Sequence, residues 1–116
     1  MRRVWILLFL LPLALRAADV TGKWEFKVDL GGQGGSPTFT FQQKGEKLTG
    51  RYSGALGEAD VTGTVKGDAI EFKFTVKGDL GELTATYSGK VSGDTMSGKT
   101  DYGQVGAGTF TAKRAK

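Results

Sequence analysis

The sequence predicts an all-β protein: an eight-stranded antiparallel up-and-down (meander) barrel, preceded by a signal peptide. Two patterns point to it. After residue 18, apolar residues alternate with Thr, Lys and Glu in short runs, which is the period-2 pattern of strands with one buried face. Glycine is abundant, with 19 residues that all follow the apolar N-terminal stretch, and it punctuates those runs.

The N-terminus has the three parts of a secretory signal. Arg2 and Arg3 form a positive start, Val4 to Leu15 an apolar stretch broken only by Pro12, and Arg16-Ala17-Ala18-Asp19 a small-residue end suited to a peptidase. A membrane-spanning helix needs roughly 20 apolar residues, more than this run contains. The expected division is therefore residues 1–17 as signal peptide and residues 18–116 as one barrel domain, in a secreted or periplasmic protein with no stable membrane anchor after cleavage. The full chain has 16 Lys+Arg and 12 Asp+Glu, a net +4. Removing Arg2, Arg3 and Arg16 leaves 13 against 12, or +1, which takes away the basic excess expected of a nucleic-acid binder.

The strands follow in order. Val20 to Leu30 places Trp24, Phe26 and Val28 on one face. Thr38 to Gln43 does the same with Phe39 and Phe41, and Leu48 to Gly54 with Leu48 and Tyr52. Ala59 to Lys66 aligns Ala59, Val61 and Val65. Ile70 to Lys77 sets Ile70, Phe72, Phe74 and Val76 against Glu71, Lys73, Thr75 and Lys77. Leu83 to Val91 presents Leu83, Ala85, Tyr87 and Val91. Met96 to Tyr102 is the weakest run, and Gly108 to Lys113 brings Phe110 and Ala112 inward. Eight such faces bury one another, and both sheet edges disappear, if the sheet closes. A two-sheet sandwich has the same periodicity.

Gly45-Glu46, Gly67-Asp68 and Gly93-Asp94 have the Gly-acidic chemistry of tight hairpin turns. In a meander these lie at the end holding both termini. Four looser connections, Gly31 to Pro37, Gly54 to Glu58, Gly78 to Glu82 and Gly103 to Gly106, then fringe the other end as a mouth. Asp29, Glu58, Asp60, Asp79, Glu82 and Asp101 gather at that mouth. Lys44, Lys47, Lys66, Lys113, Arg114 and Lys116 gather opposite.

Chemistry is constrained by absences. There is no Cys and no His. Disulfides, the usual zinc, haem and copper sites, and His-based triads are excluded on those grounds. No Asp-x-Asp-x-Asp-Gly spacing suggests a calcium loop. No carboxylate points into the barrel by parity. The expectation is a non-enzyme with no cofactor and no metal site. Two readings of the interior remain. It is a filled core, or it leaves a small apolar cavity lined by Tyr52, Tyr87, Phe72 and Phe74, with Gly50, Gly54, Gly63, Gly89 and Gly98 making the space. An outer-membrane barrel is weighed too, because periodicity does not say which way the apolar face looks.

Gly22-Lys23-Trp24 on the first strand, with Lys113-Arg114 ending the last, resembles the signature of calycins (lipocalins, fatty-acid-binding proteins, avidins). In those barrels a Gly-x-Trp packs beneath a basic residue of the final strand, so the resemblance implies that Gly22, Trp24 and Arg114 are structural. Leu48 to Gly57 is similar to the third strand of bacterial avidins. Leu48-Thr49-Gly50, Leu56-Gly57-Glu58-Ala59 and Val61-Thr62-Gly63-Thr64-Val65 resemble a group of secreted bacterial barrel modules, which look like companions of secreted hydrolases such as amidohydrolases. Avidins cage biotin with several Trp from different strands, and only Trp24 stands outside the signal, so biotin binding is not expected. The function expected is an exported, non-catalytic binding or accessory module, with a small apolar ligand or a protein partner at the looped mouth. The alternatives are a carrier of a small apolar ligand and a minor enzyme using mouth carboxylates.

Overall fold

The computed structural model describes residues 18–32, 34–78 and 81–115. The expected signal peptide, Asp79 and Lys116 lie outside them. The described chain is all β, apart from a single 3-10 turn at Gly103–Val105. The strands are β1 (Gly22–Asp29), β2 (Gly34–Gly35), β3 (Thr38–Lys44), β4 (Lys47–Gly54), β5 (Gly57–Lys66), β6 (Ala69–Gly78), β7 (Gly81–Ser92), β8 (Thr95–Asp101) and β9 (Ala107–Arg114). β2 is a two-residue spur on the upper end of β1, where Val28 meets Gly35 and Asp29 meets Gly34. The other eight form an antiparallel up-and-down barrel. It closes where Trp24 to Asp29 pair with Arg114 to Thr109.

Alternation decides which way each face looks. Trp24, Phe26, Phe39, Phe41, Leu48, Val61, Val65, Ile70, Phe72, Phe74, Tyr87 and Phe110 are buried inside. Outside lie Lys23, Glu25, Lys27 and Asp29 of β1, Glu71, Lys73, Thr75 and Lys77 of β6, and Thr109, Thr111 and Lys113 of β9. A lipid-facing wall needs the reverse arrangement. The outer-membrane alternative therefore fails on the orientation of the apolar face.

The interior is a stack of rings. Phe26 meets Phe39 with ring centroids 4.5 Å apart and Phe110 at 5.4 Å. Phe72 stacks on Tyr87 at 4.8 Å, and Tyr52 on Phe74 at 4.0 Å. Such spacings are those of close-packed aromatic pairs.

Inward glycines accommodate this stack. Gly50 pairs with Phe41, Gly63 with Phe72, and Gly98 with both Phe110 and Gly89. A Cβ on Gly63 would stand 2.0 Å from the Glu71 carbonyl oxygen, and one on Gly98 2.1 Å from that of Ser88. Neighbouring backbone fills the place where a side chain would stand. These glycines let a narrow barrel coil tightly, with a ring across the ladder at Gly50, Gly63 and Gly98. Gly54 is not interior; it is exposed at the mouth.

The turns at the terminal end are tight: Gly45, Gly67 and Gly93 each adopt φ near +60° at the first central position, as primed turns require. The mouth differs from expectation. Gly54 pairs with Gly57, so that connection is a two-residue turn rather than a loose loop, and the ladder of β6 and β7 runs on to Gly78 and Gly81. Glycine there continues the ladder instead of breaking it. Among the described residues, the longer excursions are those around the β2 spur and at residues 103–106.

Candidate functional site

The closed end is held by one cation. The Arg114 guanidinium lies 4.6 Å above the Trp24 ring. Its two terminal nitrogens donate to the Thr21 and Asp19 carbonyl oxygens, each at 3.0 Å, and Nε donates to Asp94 Oδ1 at 2.9 Å. Trp24 Nε1 donates to the Val20 carbonyl at 2.9 Å, which ties the preceding segment beneath the barrel. Gly22 adopts φ +128°, which an L side chain rarely tolerates, and Arg114 passes beside it. The three residues that resemble a calycin signature thus meet at the closed end, with each guanidinium nitrogen donating one hydrogen bond.

The mouth holds a pocket of about 200 Å³. Val28 and Leu30 of the β1 end, Pro37, Leu56 of the β4–β5 turn and Val105 of the 3-10 turn contribute its apolar wall. Tyr52 and Tyr102 line its deeper part; they are 2% and 6% exposed, against 43% for Leu56 and 60% for Val105. Among the described residues, Leu56 and Val105 are the two exposed large hydrophobic side chains, and both stand on this rim.

Local sequence places the hydroxyls. Tyr52 points inward from β4 and leans toward the mouth, so that its hydroxyl accepts from the Leu56 N–H at 3.3 Å. Gly54 leaves the room: a Cβ there would lie 2.6 Å from the Tyr52 hydroxyl. Tyr102, just past β8, meets Tyr87 of β7 hydroxyl to hydroxyl. Burial is the main cause pushing all three phenols above their ordinary pKa of 10.0. Their shared hydrogen bond adds to the rise at Tyr87 and offsets part of it at Tyr102.

Of the four candidates named for a cavity, Tyr52 lines this pocket. Tyr87, Phe72 and Phe74 lie below it, committed to the aromatic stack. Tyr102, Leu56 and Val105 were not anticipated as site residues. Tyr102 shares the parity of Met96, Gly98 and Thr100, which was the available signal. Leu56 and Val105 are large apolar residues inside glycine-bounded turns, where solvent exposure is expected.

The mouth carboxylates are dispersed. Asp29 Oδ1 accepts from the Gly32 N–H at 2.9 Å and Asp101 Oδ1 from the Gly103 N–H at 2.8 Å, so both cap turns. Glu58 and Asp60 share Arg51 on the outer wall, at 3.3 and 2.8 Å, and Glu82 pairs with Lys77 at 3.6 Å. No three acidic groups converge among the described residues. At the opposite end Asp94 and Asp68 sit beside Arg114 and Lys90, which dilutes the basic excess there.

A larger hollow, of about 750 Å³, lies on the outer wall between Glu25, Lys27, Lys90 and Lys113, with Ser and Thr among them. It gathers no buried polar group and no exposed apolar one. The mouth has both, and is the better candidate. Neither the protein-family models nor the curated proteins compared with this chain give a match.

Proposed function

We propose that this chain is an exported, non-catalytic binding module whose barrel mouth holds one ring-sized apolar group. One observation carries the reading: the two exposed large hydrophobics among the described residues both rim an apolar, half-buried pocket. Isolated exposed apolar residues mean little, but two converging on one concavity mark a contact surface.

Size supports a small group over an extended one. Sites for drug-sized ligands span roughly 300–1,000 Å³, and an apolar cavity of roughly 150 Å³ takes one benzene. The mouth pocket, at about 200 Å³, is in the second range. Below it the ring stack fills the barrel, which disfavours a carrier of a long apolar chain. Engagement of the mouth carboxylates in turn caps and exposed ion pairs supports a binding role over an enzymatic one. The calycin-like arrangement at the closed end fits the same picture of a barrel open at one end.

Two measurements test this. Expression of the full sequence in bacteria, followed by N-terminal sequencing, is expected to give a periplasmic product starting at Ala18 or Asp19. A cytosolic product retaining Met1 overturns export. Titration with toluene, followed by the methyl resonances of Leu56 and Val105, is expected to give saturable shifts confined to the mouth. Unmoved rim methyls overturn the binding site.

A further inference from the structure

We propose that the mouth pocket selects a small, uncharged ring compound bearing a carbonyl group, with the hydroxyls of Tyr102 and Tyr52 as its hydrogen-bond donors. The inference rests on reading the mouth as a binding site, and adds the chemical class of its occupant.

Counting protons leads to it. Tyr87 does not line the pocket, and its hydroxyl bonds with that of Tyr102. Tyr87 is 1% exposed and, among the described residues, its hydroxyl is hydrogen-bonded to Tyr102 alone; with Tyr87 donating there, the Tyr102 oxygen is in use as an acceptor and the Tyr102 proton is left for another partner. Tyr102 lines the pocket. The Tyr52 oxygen is likewise in use, accepting from the Leu56 N–H, while among the described residues its own proton meets no acceptor. Both residues are more than nine-tenths buried. The deep end of an apolar pocket thus presents two O–H donors whose acceptor capacity is largely spent. A ligand that brings an acceptor satisfies them; a purely apolar one leaves them unpaired, which is costly in such surroundings.

The rim refines the choice between acceptors. Asp29, Glu58, Asp60 and Asp101 all stand at the mouth end of their strands, and Arg51 offsets one of these four charges. A carboxylate ligand would approach against that negative field, and a neutral carbonyl would not. The volume admits one ring with a short substituent.

Acetophenone and α-methylstyrene test this, because they share a shape and differ in the carbonyl oxygen. Both are titrated into the protein purified from the full sequence, with Leu56 and Val105 methyl shifts as the readout. Acetophenone is expected to bind roughly tenfold more tightly than α-methylstyrene, and more tightly than benzoate. Tyr102→Phe, which keeps the ring, is expected to cut that preference to about threefold, because Tyr52 still donates, while α-methylstyrene binding stays unchanged. Equal affinities in the unaltered protein overturn the inference and leave the mouth as a binding site. A preference that survives undiminished in both Tyr102→Phe and Tyr52→Phe assigns recognition elsewhere and overturns it as well. Absence of saturable shifts with every probe overturns the binding site itself, and the inference with it.

Discussion

Arg114 of β9 joins four groups from two other parts of the chain: the Trp24 ring and two carbonyls of the segment before β1, and Asp94 of the β7–β8 turn. The contacts are unequal. Asp94 is 81% exposed, so its ion pair is worth little. The indole and the two carbonyls matter more, because they are held at the covered end of the barrel. Arg114→Ala is expected to destabilise by about 2–4 kcal/mol, read as a shift of the denaturant midpoint by circular dichroism. Arg114→Lys should recover less than half of this, since an ammonium lacks the planar fork that serves both carbonyls. Asp94→Asn should cost under about 1 kcal/mol; a larger loss there than at Arg114 would refute this ranking. Gly54 acts through Tyr52: Gly54→Ala should displace the hydroxyl and weaken its bond to Leu56, visible as changed Tyr52 ring resonances with the barrel intact.

At the level of the strand, paired glycines and rings set the curvature. Gly89 and Gly98 face each other across β7 and β8, where an added Cβ would meet backbone rather than a movable side chain. Gly98→Ala is therefore expected to cost about 3 kcal/mol or more. Gly35→Ala, in the β2 spur with open space at its Cβ position, should stay within about 0.5 kcal/mol. Thermal melts of the two variants make the comparison; similar losses would mean that the inward glycines are not packing against neighbouring strands. The β4–β5 connection shows how glycine can mislead. Gly54 and Gly57 look like loop punctuation in the sequence, yet they continue the ladder and leave only Ala55-Leu56 as the turn. The strand extension carries Leu56 to the rim of the pocket.

The whole molecule has no His and no Cys, so none of its side chains has an ordinary pKa near neutrality. Stability is expected to be nearly level between about pH 6 and pH 9. Alkali acts through the mouth tyrosines. Below the ordinary pKa of 10.0, both folded and unfolded chains hold the phenolic protons. Above it the unfolded chain releases them while the folded chain, with its raised values, retains them. The unfolded state then binds fewer protons, and stability falls as pH rises, by up to about 1.4 kcal/mol per pH unit for each such tyrosine. Tyr102→Phe should flatten the fall between pH 10 and 11 relative to the unaltered protein in parallel denaturation series; an unchanged slope would exclude Tyr102 from it.

Much of this architecture follows from the sequence alone. Period-2 alternation assigned the eight strands and their inward faces, and Gly-acidic pairs located the turns at the terminal end. Gly22-Lys23-Trp24 was legible as a short motif, and its grouping with Arg114 came only through a resemblance. These are properties of single residues and near neighbours. Tertiary structure alone decided the rest. Whether an inward glycine opens a cavity or seats a neighbouring strand depends on how closely the next backbone approaches. Whether Tyr52, Tyr87 or Tyr102 reaches the mouth depends on side-chain lean and on which hydroxyl finds a partner. The same periodicity serves barrels whose apolar face looks inward or outward, and only the side on which each face lies in the closed barrel distinguishes them. The pocket itself joins β1, the segment after β2, the β4–β5 turn and the 3-10 turn, parts brought together by barrel closure and not by proximity in the chain.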